Sequence, residues 1–256
     1  MPVASRPMPS RSPAPRSEVE RLREAVVLAG RRLGARGLIA AGEGNISVRL
    51  RDGGLLITPS GLRKDELAAG DLVVVPIQDG GRAQAEEPGA NGAPRPSSDL
   101  AIHRAVYAAR PEVVAVTHAH LPAAMALTLA GEIPDPLVLP ETAMFLPRLP
   151  FVPFAAPGSA ELAEGIAAAL AEGPSPLPGA VLLERHGAVT VGEGGGEVLA
   201  GLRQAVDRLE LVEVLCRTWR DALLIVAATG RDARAILRPP SPGPGSPARG
   251  SSRRES

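Results

Sequence analysis

The sequence is short of aromatic residues, cysteine and net charge. Among 256 residues, aromatics make up 2%, cysteine occurs once, as Cys216, and the formal net charge is zero. A single cysteine excludes an internal disulfide framework and suits a reducing compartment, so we expect a cytoplasmic protein. A chain without net positive charge gives no electrostatic indication of nucleic-acid binding, so we expect no nucleic-acid partner. Val, Leu, Ile and Ala must therefore build the core.

Long hydrophobic runs are also missing. No apolar stretch reaches membrane-spanning length, so we expect no membrane partner, and the N-terminus lacks the apolar segment of a secretory signal. Residues 1–16 and 239–256 are rich in Pro, Ser and Arg without periodicity, which predicts two disordered ends. Residues 17–238 are expected to form one domain.

Local signals predict mixed helices and strands. Ser17 and Glu20 form a capping box, which predicts a first helix that ends near residues 34–37. Further helices are predicted at about 98–110, 122–130, from 159 onward and at 197–228, and strands in GNISVRL, GGLLITPSG, DLVVVPI, VVAVTHAH and GAVLLERHGAVTVG. No regular strand–helix–strand rhythm connects them, so we expect an α/β protein with α+β-like layers.

Two segments are predicted to be mainly loop. Residues 78–96 are polar and rich in Gly and Pro, which favours a long polar loop. Residues 131–157 contain seven prolines, which predicts extended chain with short strands.

The stretch VTHAHLP places two of the four histidines of the chain one residue apart. Side chains alternate along a strand, so His118 and His120 should share a face and could bind one ion. His186, in LLERHGAV, offers a third imidazole, and three histidines with one open position suit a catalytic zinc site. Partly buried, hydrogen-bonded histidines are the alternative interpretation. His103, in a predicted helix, is interpreted as structural or as supporting the site.

RPSSDLAIH, residues 95–103, permits two interpretations. Ser97 or Ser98 could cap a helix whose first turn holds Asp99. The same free N–H groups and hydroxyls could bind a phosphate. TPSG at 58–61 and GEGNIS at 42–47 are weaker signals, one typical of a turn and the other of a Gly-rich loop.

Taken in order, GNIS, ITPSG, PSSD, HAH and RHG resemble the class II aldolase/adducin family over about residues 18–220. The resemblance implies a three-layer αβα fold with a central, mainly antiparallel sheet, assembled as a homotetramer with active sites between subunits. It implies metal ligation by His118, His120 and His186, with Asp99 as a further ligand and the acid/base. The implied phosphate-binding residues are Gly44, Asn45, Ser60, Gly61, Ser97 and Ser98.

The resemblance also implies a reaction. A divalent cation, Zn²⁺ or another, would hold a small ketose phosphate and stabilise the enediolate left by C–C cleavage to dihydroxyacetone phosphate and an aldehyde. A Schiff-base aldolase would need an amine nucleophile instead. Lys64, the only lysine of the chain, lies in the charged run LRKDEL and is expected to be solvated, which disfavours that route.

Other functions remain open on the same scaffold. The fuculose-phosphate aldolases have Glu where this chain has Asp99, whereas the 4-epimerases have Asp, and Tyr107 is the only tyrosine. Glu141 lies near the place of a catalytic glutamate in methylthioribulose-phosphate dehydratases. A sugar-phosphate 4-epimerase, such a dehydratase and a non-catalytic, adducin-like assembly domain are therefore the alternatives.

Overall fold

The structure is a computed structural model that describes residues 16–77, 94–232 and 237–238. The predicted disordered ends, apart from Arg16, and most of the polar loop at 78–96 lie outside the described residues. Among the described residues, no helix has both the length and the apolar character needed to cross a bilayer.

Most of the helices and strands form where the local sequence signals predict them. The α-helices are α1 (Glu18–Ala35), α2 (Leu100–Ala109), α3 (Pro122–Leu129), α4 (Pro140–Phe145), α5 (Ala160–Ala171) and α6 (Val198–Thr229). The strands are β1 (Asn45–Arg49), β2 (Gly54–Ile57), β3 (Val73–Pro76), β4 (Ala115–Ala119), β5 (Phe151–Val152), β6 (Ala180–Leu183) and β7 (Gly187–Gly192).

The predicted capping box is confirmed at the start of α1. The Ser17 hydroxyl accepts a hydrogen bond from the Glu20 backbone N–H at 3.2 Å, and the Glu20 carboxylate accepts one from the Ser17 N–H at 2.7 Å. These bonds satisfy two backbone donors that the first turn leaves unpaired. The helix therefore begins where the sequence indicates.

The seven strands form one sheet in the order β3-β2-β1-β4-β7-β6-β5. All neighbouring pairs are antiparallel except β5 with β6, which are parallel. The predicted mainly antiparallel sheet is therefore confirmed. Its centre is β1, β4 and β7, and this arrangement brings three segments far apart in sequence side by side.

Helices cover both faces of the sheet, which gives the predicted three layers. Alternate residues of β2 show the division, since Leu55 and Ile57 pack in one core and Leu56 packs in the other. The first core includes buried residues of α2 and α5, and the second includes buried residues of α1, α3 and α6. His118 has the same strand parity as Val116, which lies in the core beneath α2 and α5.

The segment 131–157 departs from the prediction. It contains a 3₁₀-helix at Pro136–Val138 and the short helix α4 as well as β5. Proline is tolerated at the first helical position, where its missing N–H has no helical partner, and both helices begin with one. A high proline content thus marked the helix starts here and did not exclude helices.

Candidate functional site

Three histidine side chains converge at one end of the central strands, where β4 ends and β7 begins. The ring centroids of His118, His120 and His186 lie 4.7–5.1 Å apart. One ligand atom from each lies within 4.8 Å of the others. The sheet brings them together because β4 pairs with β7 up to the pair Ala119 and Ala188, so the turn that carries His186 meets the end of β4.

Gly187 allows this close approach. Its φ is 89°, and a Cβ there would overlap the backbone carbonyl oxygen of Ala119. Only glycine combines the positive φ with the missing side chain. Any larger residue would push His186 away from His118 and His120.

The orientation of His118 follows from its hydrogen bond. Nδ1 lies 3.0 Å from the carbonyl oxygen of Ala188, which can only accept, so Nδ1 carries the proton. Nε2 then presents its lone pair to the cluster, and it is buried without a hydrogen-bond partner among the described residues. Burial lowers the pKa of His118 to about 3, so the ring is neutral at neutral pH.

His186 resembles His118 in having a buried, unpartnered ring nitrogen and a lowered pKa. Its Nδ1 is also buried without a hydrogen-bond partner in the part of the chain that the structure describes. Burial, followed by the nearby His120, lowers its pKa. Neutral imidazoles with unpartnered nitrogens are the form that binds metal ions, and a buried polar atom left unpaired is costly. The three histidines therefore fit a divalent cation.

Two carboxylates flank the histidines. Oδ2 of Asp99 lies 4.0 Å from Nε2 of His118, and Oε2 of Glu43 lies 2.9 Å from Nδ1 of His120. Asp99 is the N-cap residue of α2 and its side chain makes no capping hydrogen bond, so the predictions that Ser97 or Ser98 caps this helix and that Asp99 lies in its first turn were wrong. Glu141, by contrast, is exposed on α4 and makes no hydrogen bond or ion pair with the described residues.

Sequence analysis missed Glu43. Its backbone N–H donates to the Ala40 carbonyl at 3.1 Å, and its Oε1 accepts from the Ala40 N–H at 2.7 Å. Ala41 between them has a φ of 47°, unusual for a residue with a side chain. This turn aims the carboxylate at His120. The only sequence signal was an acidic residue inside the Gly-rich GEGNIS.

The predicted phosphate-binding residues Ser60, Gly61, Ser97 and Ser98 lie on two segments that the structure joins. Thr58 O accepts from the Ser97 N–H at 3.1 Å, and Arg95 O accepts from the Ser60 N–H at 2.9 Å. The Ser97 hydroxyl accepts from the Asp99 N–H at 3.3 Å and is buried, whereas Ser98 is exposed. The Ser97 hydroxyl therefore supports the turn that leads into α2, and it lies among the predicted phosphate-binding residues.

The Gly-rich loop lies against the same region. A Cβ at Gly42 would lie 3.4 Å from the backbone of Gly61. Gly44 has a φ of 70°, and a Cβ there would lie 3.0 Å from the carbonyl oxygen of His118. Asn45 follows in β1, directly opposite His118 in the sheet register. The predicted phosphate residues and the histidines therefore occupy one region.

Lys64 is buried, so the prediction that it is solvated was wrong. Only 2% of the residue is exposed, and Nζ donates to the carbonyls of Gly42 at 2.6 Å and Leu62 at 2.7 Å. Burial lowers its pKa, while Asp99 and Glu43 raise it. The charged run LRKDEL concealed this, because its other charges pair with one another at the surface. Lys64 joins two loops of the site and is held by two carbonyls.

The sequence matches known proteins along most of its length. Residues 24–220 match the family described as Class II Aldolase and Adducin N-terminal domain. A 5-methylthioribulose-1-phosphate/5-deoxyribulose-1-phosphate aldolase of Rhodospirillum rubrum is 34% identical over 200 residues, 78% of this chain and 80% of the relative. A 3-oxo-tetronate 4-phosphate decarboxylase of Cupriavidus necator is 32% identical over 225 residues, 86% of this chain and 92% of the relative.

A solved structure supports the same assignment. The L-fuculose-1-phosphate aldolase of Thermus thermophilus superposes with a TM-score of 0.67 at 31% identity, covering 81% of this chain and 97% of that one. These relatives differ in reaction, and the names of all three include a phosphorylated substrate. On this fold and this match, the chain belongs to the class II aldolase and adducin N-terminal domain family.

Proposed function

We propose that this protein is a divalent-metal-dependent lyase that cleaves a small ketose phosphate to dihydroxyacetone phosphate and an aldehyde. The observation that carries the proposal is the cluster of His118, His120 and His186, in which His118 and His186 each have a buried ring nitrogen without a partner among the described residues. An assembly domain without catalysis would have no need for such a cluster. The proposed cation is Zn²⁺, which three histidines and an open position suit.

A bound divalent cation would supply Lewis-acid stabilisation of the charge that develops on the substrate as the C–C bond breaks. Asp99 is the proposed acid/base, because its carboxylate lies beside His118 and within the region of the predicted phosphate residues. General acid/base catalysis first requires reach, and the position of Asp99 beside the histidine cluster supports this choice. Glu141, exposed on α4, is kept as the competing acid/base.

Glu43 is proposed to orient His120. A carboxylate on the second ring nitrogen of a ligating histidine fixes the ring and raises its basicity. The 2.9 Å contact between Oε2 and Nδ1 leaves Nε2 of His120 for the cation. The Ala40–Glu43 turn holds the carboxylate in this position without a substrate.

The substrate phosphate is proposed to bind where the loops at 42–45, 60–61 and 97–98 meet. This region combines glycine backbone, three serine hydroxyls and the start of α2, all of which suit an anion. The buried Lys64 ammonium beneath these loops adds positive charge nearby.

Decarboxylation of a phosphorylated 3-oxo acid is a second candidate. The match to the Cupriavidus necator decarboxylase covers 86% of this chain, whereas the match to the Rhodospirillum rubrum aldolase covers 78%. Loss of CO₂ from a 3-oxo acid develops the same kind of charge on the substrate oxygen, so the same cation and carboxylate would serve.

A panel of substrates tests the proposal. The full chain, loaded with Zn²⁺, is assayed on ketose 1-phosphates, pentulose 5-phosphates and a 3-oxo acid phosphate. Four products are detected separately, namely dihydroxyacetone phosphate, an epimer, a dehydrated product and CO₂. The His120→Ala variant is the negative control. Dihydroxyacetone phosphate that depends on His120 supports the aldolase. Another product alone assigns the protein to that reaction, and no product from any substrate favours the assembly domain.

The assembly is proposed to be a homotetramer. Leu129, Ile133, Met144 and Phe145 are exposed, with 71% of Met144 accessible. Apolar side chains concentrated in one stretch of sequence favour a protein interface. Light scattering after size exclusion measures the mass, and a monomer would exclude this assembly.

A further inference from the structure

A row of buried polar side chains runs from Asp99 into the core between β1 and α2. The Asn45 amide nitrogen donates to Asp99 Oδ2 at 2.7 Å, and Asn45 Oδ1 lies 2.5 Å from His103 Nε2. His103 Nδ1 lies 2.6 Å from the Ser47 hydroxyl, which lies 3.0 Å from the Tyr107 hydroxyl. His103 has no exposed surface.

The chemistry of the two ends fixes the direction of every bond. The Asp99 carboxylate accepts, so the Asn45 amide must turn its NH₂ toward Asp99 and its oxygen toward His103. A reversed amide would place two acceptor oxygens against each other at 2.7 Å. The amide oxygen can only accept, so Nε2 of His103 carries a proton.

The remaining bonds follow in turn. Burial keeps His103 neutral by lowering its pKa to about 4, so Nδ1 has a lone pair and accepts from the Ser47 hydroxyl. The Ser47 oxygen can then accept from the Tyr107 hydroxyl, and the backbone of Val116 bonds to the Tyr107 oxygen. Each proton has one acceptor, and all bonds point toward Asp99.

We propose that His103 is a positioning residue that acts on Asp99 through Asn45. The neutral Nε2–H form of the ring locks the Asn45 amide, and the locked amide holds the Asp99 carboxylate at a fixed angle to His118. Asn45 lies opposite His118 in the sheet register, so the link sets the carboxylate against the histidine cluster. The proposal rests on the role of Asp99 in the proposed function.

This role differs from that of an ordinary buried histidine. A histidine that served only the core would affect stability when replaced, because its partners would be left unpaired, and would leave kcat unchanged. Here the row crosses from the sheet to α2 and ends on a carboxylate of the site. It also occupies the Asn45 oxygen and one amide proton, which limits Asn45 as a direct phosphate ligand.

The first arm of the test needs no substrate. Histidine labelled with ¹⁵N is introduced into the Zn²⁺-loaded full chain, and the four ring systems are resolved by NMR, with His103→Gln assigning the His103 signals. We expect His103 as the neutral Nε2–H tautomer, unchanged from about pH 8 to about pH 5. The Nδ1–H tautomer, or protonation near the ordinary pKa of about 6.5, would overturn the proposal.

The second arm compares His103→Leu with His103→Gln. Gln can present an N–H close to the place of Nε2, whereas Leu only fills space. We expect Leu to lower kcat about tenfold or more with KM and metal content unchanged, and Gln to recover most of the loss. Equal loss in both variants, or loss confined to KM or metal content, would contradict a role through Asp99.

A double-mutant cycle completes the test. In an Asp99→Asn background, His103→Leu should cause little further loss of the residual kcat, because its effect passes through the carboxylate. Additive losses would overturn the proposal. Since the NMR arm is independent of catalysis, a wrong substrate or reaction cannot be mistaken for a wrong assignment of His103.

Discussion

The Glu43 carboxylate contacts His120, with 2.9 Å between Oε2 and Nδ1. These residues lie far apart in sequence, on the loop before β1 and just after β4. The contact is made on the ring nitrogen that a metal ligand would leave free. It gives the most direct test of whether the histidine cluster holds a cation.

Two substitutions should lower the affinity for a divalent metal ion by different amounts. His120→Ala should abolish binding of a roughly stoichiometric divalent ion, and Glu43→Gln should weaken it about 10- to 100-fold, in the range for a lost orienting carboxylate. Competition with a chromophoric chelator measures both. Glu141→Gln is the matched control and should bind normally. Unchanged affinity in Glu43→Gln would remove Glu43 from the metal site.

The acid/base assignment separates two carboxylates. Asp99→Asn should lower kcat by about two orders of magnitude or more while metal is retained, because the proton-transfer group is lost. Glu141→Gln should change kcat little, since this side chain is exposed and makes no hydrogen bond or ion pair with the described residues. Steady-state kinetics at matched metal content measures both. The opposite pattern would transfer the role to Glu141 and favour dehydration.

The phosphate site is tested by the two serines. Ser98→Ala should raise KM for the phosphorylated substrate about tenfold, the cost of a lost bond to a charged group, with Tm unchanged because Ser98 is exposed. Ser97→Ala should raise KM and also lower Tm, because its hydroxyl accepts from the Asp99 N–H. Kinetics and thermal melts separate the two effects. Equal activity on the unphosphorylated sugar would exclude this phosphate site.

Replacing Lys64 should lower the stability of the fold, in addition to any effect on the site. Lys64→Met removes the donor to the partly buried carbonyls of Gly42 and Leu62, which should lower the free energy of unfolding by about 1–3 kcal/mol. Arg63→Met is the control, because Arg63 is exposed and its ion pairs contribute little. Urea unfolding measures both variants. Equal stability of the two would show that the Lys64 hydrogen bonds are not needed.

The buried His103 predicts a pH dependence of stability. Its pKa is about 4 in the folded protein, against 6.5 ordinarily, so between these values the unfolded chain binds a proton that the folded protein does not. The free energy of unfolding should therefore fall as pH drops from about 6.5 to about 4, by at most about 3 kcal/mol from this residue. His118 and His186, whose pKa values are also lowered, act in the same direction.

A comparison isolates the contribution of His103. Metal-free wild type and His103→Gln are unfolded in urea at about pH 7, 6 and 5. Both retain His118 and His186, so the variant should lose less stability on acidification. Parallel curves would mean that His103 does not stay neutral in the folded state.

The sequence by itself predicted most of the helices and strands and the three histidines that the fold brings together. The capping box at Ser17 and Glu20 is a local pattern, and it starts α1 where predicted. Strand alternation predicted that His118 and His120 lie together, although His120 follows the last residue of β4, and Gly187 marks the turn that carries His186. Such features depend on neighbours a few residues away, so the sequence displays them directly.

Only the tertiary structure decided how the site is supported. Glu43 meets His120, Asn45 meets both Asp99 and His103, and Lys64 turns inward between two loops. The contacts of Glu43 and Asn45 join segments that are adjacent because β1 lies beside β4 in the sheet and α2 packs on one face of it. Lys64 reaches Gly42 because β2 pairs with β1. The residue types in LRKDEL and GEGNIS are equally compatible with a solvated surface. Their burial and partners arise from this non-local packing, which no local period encodes.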